Sequence, residues 1–370
     1  MDINKFINTI IEGDTIKNLK RLPDESIDFI FADPPYYMQT EGELLRVDGT
    51  KFKGVEDKWD KFKDFKDYDD FTKKWLKECK RVLKKDATIA VIGSFQNIYR
   101  VGNIMQDLGY WILNDIIWKK TNPVPNFSGK RFCNSHETIL WCSKNKKSKI
   151  TFNYKTMKYL NNEKQEKSIW EISLCTGNER LKDENGNKLH SSQKPEKLLY
   201  KLLISATKPK DIILDPFFGT GTTGAVAKEI GRNYIGIEKE KVYVEAAEKR
   251  IASKNYQRSL VTELTLEKKP PKVPVKKLLE KGYLQKNQEL YNSLGEKKGI
   301  VLEDGNIFDG IETLSIHKMS AKLLNKTNNN GWDYFYIIEK GNLISLNDLR
   351  YRYDKEGDYV YSKMGTKSYF

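Results

Sequence analysis

The chain carries the tetrapeptide Asp-Pro-Pro-Tyr at residues 33–36, directly after an apolar run. A carboxylate at the end of a buried strand costs free energy unless a donor reaches it, so Asp33 requires a hydrogen-bond donor. The prolines fix the backbone so that the carbonyl of Pro34 can lie beside the carboxylate, and Tyr36 offers a face to a flat ring. The tetrapeptide therefore predicts a corner that binds an exocyclic amine on a stacked ring. Taken alone, it could equally form a turn with a core tyrosine.

A second corner lies in residues 214–240, which read as a strand, a glycine-rich turn, a helix and a strand that ends in an acid. Gly219 and Gly221 let the backbone approach a ligand closely, and Glu238 is placed to accept hydrogen bonds from ribose hydroxyls. The next glycine, Gly224, already falls in the helix, so the spacing disfavours a nicotinamide dehydrogenase. We expect a nucleoside ligand at this corner; a tight turn without a ligand is the alternative.

Both corners need a sheet whose strands end at the same edge, because such sheets bind ligands beyond their carboxyl ends. Short apolar runs alternate with amphipathic ones from Ile10 to about Ile251, a pattern that is typical of α/β proteins. The predicted strands are 26–35, 87–95, 211–221 and 233–240, and the clearest helices are 69–85 and 195–207. We predict an α/β fold with a doubly wound, mostly parallel sheet.

The sequence predicts a large first domain and a small second one. Within the first domain, residues 1–260, the polar stretch from about 116 to 190 breaks the α/β pattern and is interpreted as an insertion at the binding face. Residues 261–276 are rich in Lys and Pro, which predicts a semi-rigid linker. A small α+β domain is predicted at 277–353, followed by a tail at 354–370.

Composition narrows the class of partner. The 370 residues include 65 Lys and Arg against 51 Asp and Glu, a formal charge of +14, and 12% are aromatic. This balance favours nucleic acid over an anionic membrane surface. The four cysteines are scattered without metal-ligand spacing, so we expect reduced structural thiols and no metal site. The sequence begins without a signal layout and contains no run of eighteen apolar residues, which favours a soluble intracellular protein.

The two corners together resemble the β-class DNA amino methyltransferases, in which Asp-Pro-Pro-Tyr precedes a Phe-x-Gly-x-Gly cofactor motif, here Phe217 to Gly221. Four further stretches look like the cell-cycle-regulated adenine methyltransferases and their HinfI-type relatives, which act on GANTC. They are WDKFKDFKDYDDFT (59–72), NPVPNFSGKRFCNSHETILW (122–141), SLCTGNERLKD (173–183) and SSQKPEKLL (191–199). The resemblance covers about 8–255, and about 276–352 is similar to the small domain that follows in that group.

The resemblance implies a seven-stranded methyltransferase sheet, S-adenosylmethionine as cofactor, double-stranded DNA as partner and a place in the bacterial cytoplasm or nucleoid. It implies direct methyl transfer to the N6 amino group of a flipped-out adenine. Asp33 and the carbonyl of Pro34 would accept the amino hydrogens, and Tyr36 would stack on the base. The stretch 116–190 would then be a target-recognition insertion, and the second domain would bind DNA.

The resemblance to this family also implies a set of cofactor-binding residues. Asp14 lies beside the cofactor adenine in that family or, on the alternative reading, caps a helix. Lys194 either contacts the methionine carboxylate or opens a helix before Pro195. The full set is Asp14, Asp33, Lys194, Asp215, Phe217, Gly219, Thr220, Gly221 and Glu238.

DNA contacts are assigned to side chains that can reach base edges or phosphates, each of which could equally be a solvated loop residue. These are Asn122, Asn126, Arg131 and Arg180. His136, in the same matched region, is interpreted as a core histidine.

Several alternatives stay open. An N4-cytosine methyltransferase uses the same chemistry, but its tetrapeptide usually begins with Ser, so Asp33 favours adenine. The two corners alone would also fit an RNA or protein methyltransferase, and a DNA-binding protein without catalysis would need no intact Asp33 corner. The sequence leaves undecided whether the enzyme belongs to a restriction-modification pair, whether it works as a homodimer on DNA, and which residue reads which base.

Overall fold

The computed structural model describes residues 2–38, 44–45, 51–52, 60–126, 129–268 and 270–353. These residues form two compact units, which meet in the sequence between Leu264 and Thr265. The predicted tail, 354–370, and parts of the predicted motif 59–72 and loop 122–141 lie outside the described residues.

The first unit is built on an eight-stranded sheet and a separate short antiparallel pair, β3–β4. Its strands are β1 (Thr9–Glu12), β2 (Ile27–Ala32), β3 (Leu44–Leu45), β4 (Lys51–Phe52), β5 (Leu83–Gly93), β6 (Trp111–Lys120), β7 (His136–Ser143), β8 (Ile169–Ile172), β9 (Ile212–Asp215) and β10 (Asn233–Glu238). The order in the large sheet is β1-β10-β9-β2-β5-β7-β6-β8. In that sheet β7 alone runs antiparallel to its neighbours.

Helices cover both faces of this sheet. They are α1 (Thr15–Leu19), α2 (Phe65–Val82), α3 (Ile98–Asp107), α4 (Tyr154–Leu160), α5 (Glu196–Ala206), α6 (Thr222–Glu229) and α7 (Lys241–Ala252). Alternate residues of a strand point to opposite faces, so Phe29 and Phe31 join the core under α5 and α6, whereas Ile30 joins the core under α1, α2 and α3. The doubly wound α/β prediction is confirmed.

The sheet differs from the prediction in having eight strands rather than seven. The segment 116–190, predicted as an insertion, contributes β7, β8 and the second half of β6 to this sheet. The α/β pattern is weak there because β6 and β8 are the last two strands at one end of the sheet and carry exposed positions among their buried ones. The loops that remain, 121–135 and 173–195, follow the carboxyl ends of β6 and β8 or precede α5.

The second unit has its own six-stranded antiparallel sheet, in the order β14-β13-β12-β11-β15-β16. Its elements are α8 (Val275–Glu280), β11 (Glu289–Tyr291), β12 (Lys297–Val301), β13 (Ile307–Phe308), β14 (Thr313–Leu314), α9 (Ile316–Leu323), α10 (Gly331–Tyr334), β15 (Tyr336–Glu339), β16 (Asn342–Ser345) and α11 (Leu346–Tyr353). Much of the segment predicted as a linker belongs to this unit, because Leu266, Val273 and Val275 are buried.

Two further observations concern the described part of the chain. None of its helices is long and apolar enough to cross a membrane. Cys79, Cys142 and Cys175 are buried free thiols, and Cys133 is an exposed one.

Candidate active site

The carboxyl ends of β2, β9 and β10 bring Asp33, Asp215 and Glu238 to one edge of the sheet. They surround a cavity of about 530 Å³, a size within the usual range of small-molecule pockets. The cavity is lined by eleven of the predicted site residues: Asp14, Asp33, Pro34, Tyr36, Arg180, Lys194, Asp215, Phe217, Gly219, Thr220 and Glu238. The two corners inferred from the sequence therefore face one space.

The backbone after Asp33 is held by a carboxylate that the sequence reasoning missed. Asp60, only 6% exposed, accepts hydrogen bonds from the backbone N–H groups of Tyr36 (2.6 Å), Tyr37 (2.7 Å) and Met38 (2.8 Å). Tyr68 donates its hydroxyl to the carbonyl of Pro35 at 3.0 Å. An acid inside the aromatic run 59–72 was the available signal, because a buried carboxylate requires donors.

Asp33 lies in a buried cluster of charges. Its Oδ1 accepts the hydroxyl of Tyr36 at 2.9 Å, and its Oδ2 lies 2.8 Å from Nζ of Lys194. The same tyrosine hydroxyl lies 3.1 Å from Oε2 of Glu137. Glu137 also contacts Lys120 through Oε1, at 2.9 Å, and Lys194 through Oε2, at 3.8 Å. Two carboxylates and two ammonium groups thus compensate each other around one phenol.

The two carboxylates of this cluster have pKa values shifted in opposite directions. Burial is the largest influence on Asp33 and raises its pKa, although Lys194 opposes the rise. Burial also acts to raise the pKa of Glu137, but Lys194 and Lys120 together lower it below its ordinary value. Burial, followed by both carboxylates, raises the pKa of Tyr36 well above its ordinary value, so its hydroxyl keeps its proton and donates.

Glu137 and Lys120 were not predicted as site residues, and His136 was interpreted as a core histidine. The structure places His136 at an exposed position of β7, and Glu137 lines the cavity. Adjacent strand residues point to opposite faces of the sheet, so the side chains of His136 and Glu137 cannot both enter the cavity. No sequence signal indicated the pair of Lys120 and Glu137, because their contact depends on the β6–β7 register, in which Trp118 lies opposite Glu137 and Lys119 opposite His136.

At the glycine corner, Glu238 fixes the turn. Its Oε2 accepts the N–H of Gly219 at 2.7 Å and its Oε1 accepts the N–H of Glu240 at 2.8 Å. Gly219 has a φ of 51°, and a side chain there would meet Nε2 of His190 at 3.4 Å. Burial raises the pKa of Glu238 and lowers that of His190 to about 4, so the histidine is neutral at pH 7.

Asp215 and Gly221 stabilise the glycine turn through hydrogen bonds and packing, respectively. Asp215 accepts the N–H of Phe217 at 3.0 Å and the hydroxyl of Thr223 at 2.6 Å, and burial raises its pKa to about 7. Gly221 is the N-terminal capping residue of α6 and has a φ of 75°, and a Cβ there would lie 2.6 Å from that of Ala247. Gly221 does not line the cavity, so its absence of a side chain serves the packing of α6 on α7.

Asp14 and Lys194 were each given two alternative readings from the sequence, and the structure shows the contacts that each side chain makes. Asp14 caps α1, because its Oδ1 accepts the N–H of Lys17 at 2.9 Å, and it also lines the cavity. Lys194 precedes the capping residue Pro195 of α5, yet its ammonium group reaches Asp33 rather than the helix.

The four predicted DNA-contacting residues are not brought together. Arg180 lines the cavity and donates to the carbonyl of His190 at 3.2 Å. The other three lie outside the cavity lining. Asn122 accepts the N–H of Leu174 at 2.7 Å, Asn126 donates to the carbonyl of Arg131 at 2.8 Å, and the guanidinium of Arg131 lies 5.6 Å from the ring centre of Phe95.

The cavity fits a nucleoside cofactor. A carboxylate at the end of β10 faces a glycine turn with left-handed backbone, the arrangement that accepts ribose hydroxyls beside a close backbone approach. The same cavity is also lined by Asp14, Asp215, Phe217 and Thr220. The residues present thus fit S-adenosylmethionine.

Comparison with known proteins agrees with this geometry. A family model described as DNA methylase matches residues 27–249, and one described as Restriction Enzyme Adenine Methylase Associated matches 257–358. The chain is similar to the type II methyltransferase M.HinfI of Haemophilus influenzae, with 63% identity over 355 residues, which are 96% of this chain and 99% of that one. It is also similar to the type II methyltransferase M2.DpnII of Streptococcus pneumoniae, with 44% identity over 253 residues, 68% of this chain and 91% of that one.

Among solved structures, the cytosine-N4-specific PvuII DNA methyltransferase shares the fold, with a TM-score of 0.52 and 22% identity over 69% of this chain and 90% of that one. The resemblance inferred from the two corners is confirmed by the family model and by the near full-length relative. The chain belongs to the DNA methylase family, and the prediction of an S-adenosylmethionine-dependent, adenine-specific DNA methyltransferase is confirmed.

Proposed function

We propose that the enzyme methylates the N6 amino group of an adenine flipped out of duplex DNA, with Asp33 and the carbonyl of Pro34 as acceptors of the two amino hydrogens. The nitrogen lone pair of adenine is delocalised into the ring, so the free amine is a poor nucleophile. Two fixed acceptors would localise that lone pair and orient it. The observation that carries the proposal is that Asp33 and the ring of Tyr36 line one cavity with the glycine corner.

Tyr36 is proposed to stack on the extruded base. The target atom is inaccessible inside the base stack, so the nucleotide must leave the duplex before it can reach Asp33. Tyr36 is held by Asp60 through its backbone and by Asp33 and Glu137 through its hydroxyl, which presents a ring of fixed orientation. Stacking of a base on an aromatic ring contributes roughly 1–3 kcal/mol.

The glycine corner is proposed to hold the cofactor. S-adenosylmethionine supplies an electrophilic methyl group, and no nucleophile from the chain is needed to receive it. Glu238 would accept the ribose hydroxyls, and the backbone at Gly219 and Thr220 would face the methionine part. Asp215 keeps this turn in place through its bonds to Phe217 and Thr223.

We further propose GANTC as the methylated sequence. This assignment rests on the resemblance of residues 122–141 and 173–183 to the adenine methyltransferases that act on it. Arg180, which lines the cavity, would contact DNA directly. Asn122 and Asn126 hold their loops through backbone bonds and would shape the surface that Arg131 presents.

The proposal is tested by Asp33→Ala. We expect methyl transfer to fall by at least about a hundredfold, because one fixed acceptor is removed, whereas S-adenosylmethionine still binds through the glycine corner. Asp24→Ala is the control, because Asp24 is an exposed partner of Arg81 on the same unit and does not line the cavity. Plasmid DNA methylated by the wild type and read by single-molecule sequencing reports the base and its context. Near wild-type turnover of Asp33→Ala would refute the mechanism, and a modified cytosine or another context would refute the substrate.

A further inference from the structure

The ammonium group of Lys194 lies where the proposed mechanism needs the adenine amino group. Its Nζ is 2.8 Å from Oδ2 of Asp33 and 5.3 Å from the ring centre of Tyr36. A base stacked on Tyr36 with its amine on Asp33 would meet this group. Lys194 therefore has to give way before the base can be held, an argument that rests on the proposed roles of Asp33 and Tyr36.

Moving a buried ammonium group away from its carboxylate is costly unless another acceptor takes it. The side chain of Lys194 is only 6% exposed, so bulk water does not replace Asp33 as its partner. Besides Asp33, its Nζ contacts the carbonyl oxygen of Ser192 at 3.3 Å and Oε2 of Glu137 at 3.8 Å, and of these two Glu137 carries the negative charge that can replace Asp33. A shift of about one ångström would convert this contact into a direct ion pair.

Glu137 is suited to receive Lys194 because it is fixed and keeps its charge. It lies on β7, where it pairs with Trp118 of β6, so its backbone is held in the sheet. Lys120 bonds the other carboxylate oxygen, Oε1, which leaves Oε2 facing Lys194 and Tyr36. The long, unbranched side chain of Lys194 can move, whereas the strand cannot.

We propose that Lys194 occupies Asp33 until the target base enters and then transfers to Glu137, which makes Glu137 a positioning residue of the reaction. The cluster contains two carboxylates and two ammonium groups in both arrangements, so the transfer leaves its net charge unchanged. Asp33 exchanges an ammonium donor for the amino hydrogens of the base. Glu137 acts through Lys194 and touches neither the base nor the cofactor.

The first test is a double-mutant cycle on a GANTC duplex. Glu137→Gln removes the charge that receives Lys194, so kcat should fall about tenfold while the KM for DNA is unchanged. In a Lys194→Met background, which has no ammonium group to relocate, Glu137→Gln should lower kcat less than about twofold. An equal fall in both backgrounds would overturn the proposal, because Glu137 would then act without Lys194.

The second test compares Glu137→Asp with Glu137→Gln. The aspartate keeps the charge but changes the shape, whereas the glutamine keeps the shape, so the proposal expects the aspartate variant to be the faster enzyme. A faster glutamine variant would show a packing role and overturn the proposal. Glu171→Gln is the matched control, because Glu171 pairs with Lys119 on the exposed side of β8 and should leave kcat unchanged.

Thermal midpoints and cofactor affinity, measured for each variant, verify that it is folded. The outcome is separable from that of the proposed function. An inactive Asp33→Ala together with a fully active Glu137→Gln would refute the role of Glu137 and leave the proposed function intact. An active Asp33→Ala would refute the mechanism on which this inference rests.

Discussion

Asp33 and Glu137 are buried carboxylates that contact the same lysine, and their environments assign them different work. Among the described residues, Asp33 contacts one cationic side chain, Lys194, so burial dominates and the pKa of Asp33 rises. Glu137 contacts two in the same part of the chain, Lys120 and Lys194, and its pKa falls. Asp33 therefore depends on a single ammonium partner or on donors that replace it, whereas Glu137 keeps Lys120 as a partner wherever Lys194 lies. Neighbouring acids with opposite shifts are typical of sites that divide tasks between like groups.

Asp215 is expected to make stability depend on pH. Burial raises its pKa to about 7 in the folded chain, against about 3.9 when unfolded. The folded state thus binds more protons between these values, and the stability that Asp215 contributes is present below about pH 4 and is lost as pH rises through about 7. In Asp215→Asn the free energy of unfolding should fall less steeply between pH 5 and 7.5 than in the wild type, by up to about 1.4 kcal/mol per pH unit. Thermal midpoints measured across this range for both proteins should show the same difference. Parallel profiles of the two proteins would contradict this assignment.

At the scale of the elements, the turn from β9 to α6 uses its two glycines for different purposes. Both have positive φ, but a side chain at Gly221 would collide with Ala247 of α7, whereas one at Gly219 would enter the cavity near His190. Gly221→Ala should therefore lower the free energy of unfolding more, by about 1–3 kcal/mol beyond the backbone strain common to both.

Gly219→Ala should instead weaken S-adenosylmethionine binding more, by about tenfold, or about 1.4 kcal/mol. Chemical denaturation and calorimetry on both variants provide the two measurements. If the same variant showed both larger losses, the division between packing and cofactor approach would be wrong.

Other elements show what the sequence could predict. Buried strands β2, β9 and β10 are short apolar runs that end in an acid or just before one, so the pattern alone indicated both corners. Asp14 and Lys194, which also line the cavity, followed only from the resemblance. The strands β6 and β8 carry exposed positions among their buried ones, so they do not show the continuous apolar run of a buried strand. Glu137 and Asp60 were not predicted because each contacts Tyr36, which lies 101 residues from Glu137 and 24 from Asp60 in the sequence. Only the tertiary structure shows such contacts.

At the scale of the whole molecule, the two units have separate cores. The first core requires residues beyond α7: Val261 is fully buried, and Arg232 donates to the carbonyls of Thr262 and Thr207. A chain cut after Leu264 should therefore fold and bind S-adenosylmethionine. A chain cut after Lys254 loses Val261 and one acceptor of a buried guanidinium, and should unfold about 2–4 kcal/mol more easily.

The chain cut after Leu264 is also expected to lose most of its affinity for specific DNA. The second unit would supply phosphate contacts, since lysines are concentrated near its start: the segment 268–277 contains five, at positions 268, 269, 272, 276 and 277. Affinity of the full chain should fall with salt along a slope near −0.9 for each phosphate neutralised, and the shorter chain should show a smaller slope. Fluorescence anisotropy on GANTC and scrambled duplexes at two salt concentrations measures both quantities. Equal affinity and selectivity of the two chains would exclude the second unit from recognition, whereas an unfolded 1–264 chain would mean that the first unit cannot stand alone.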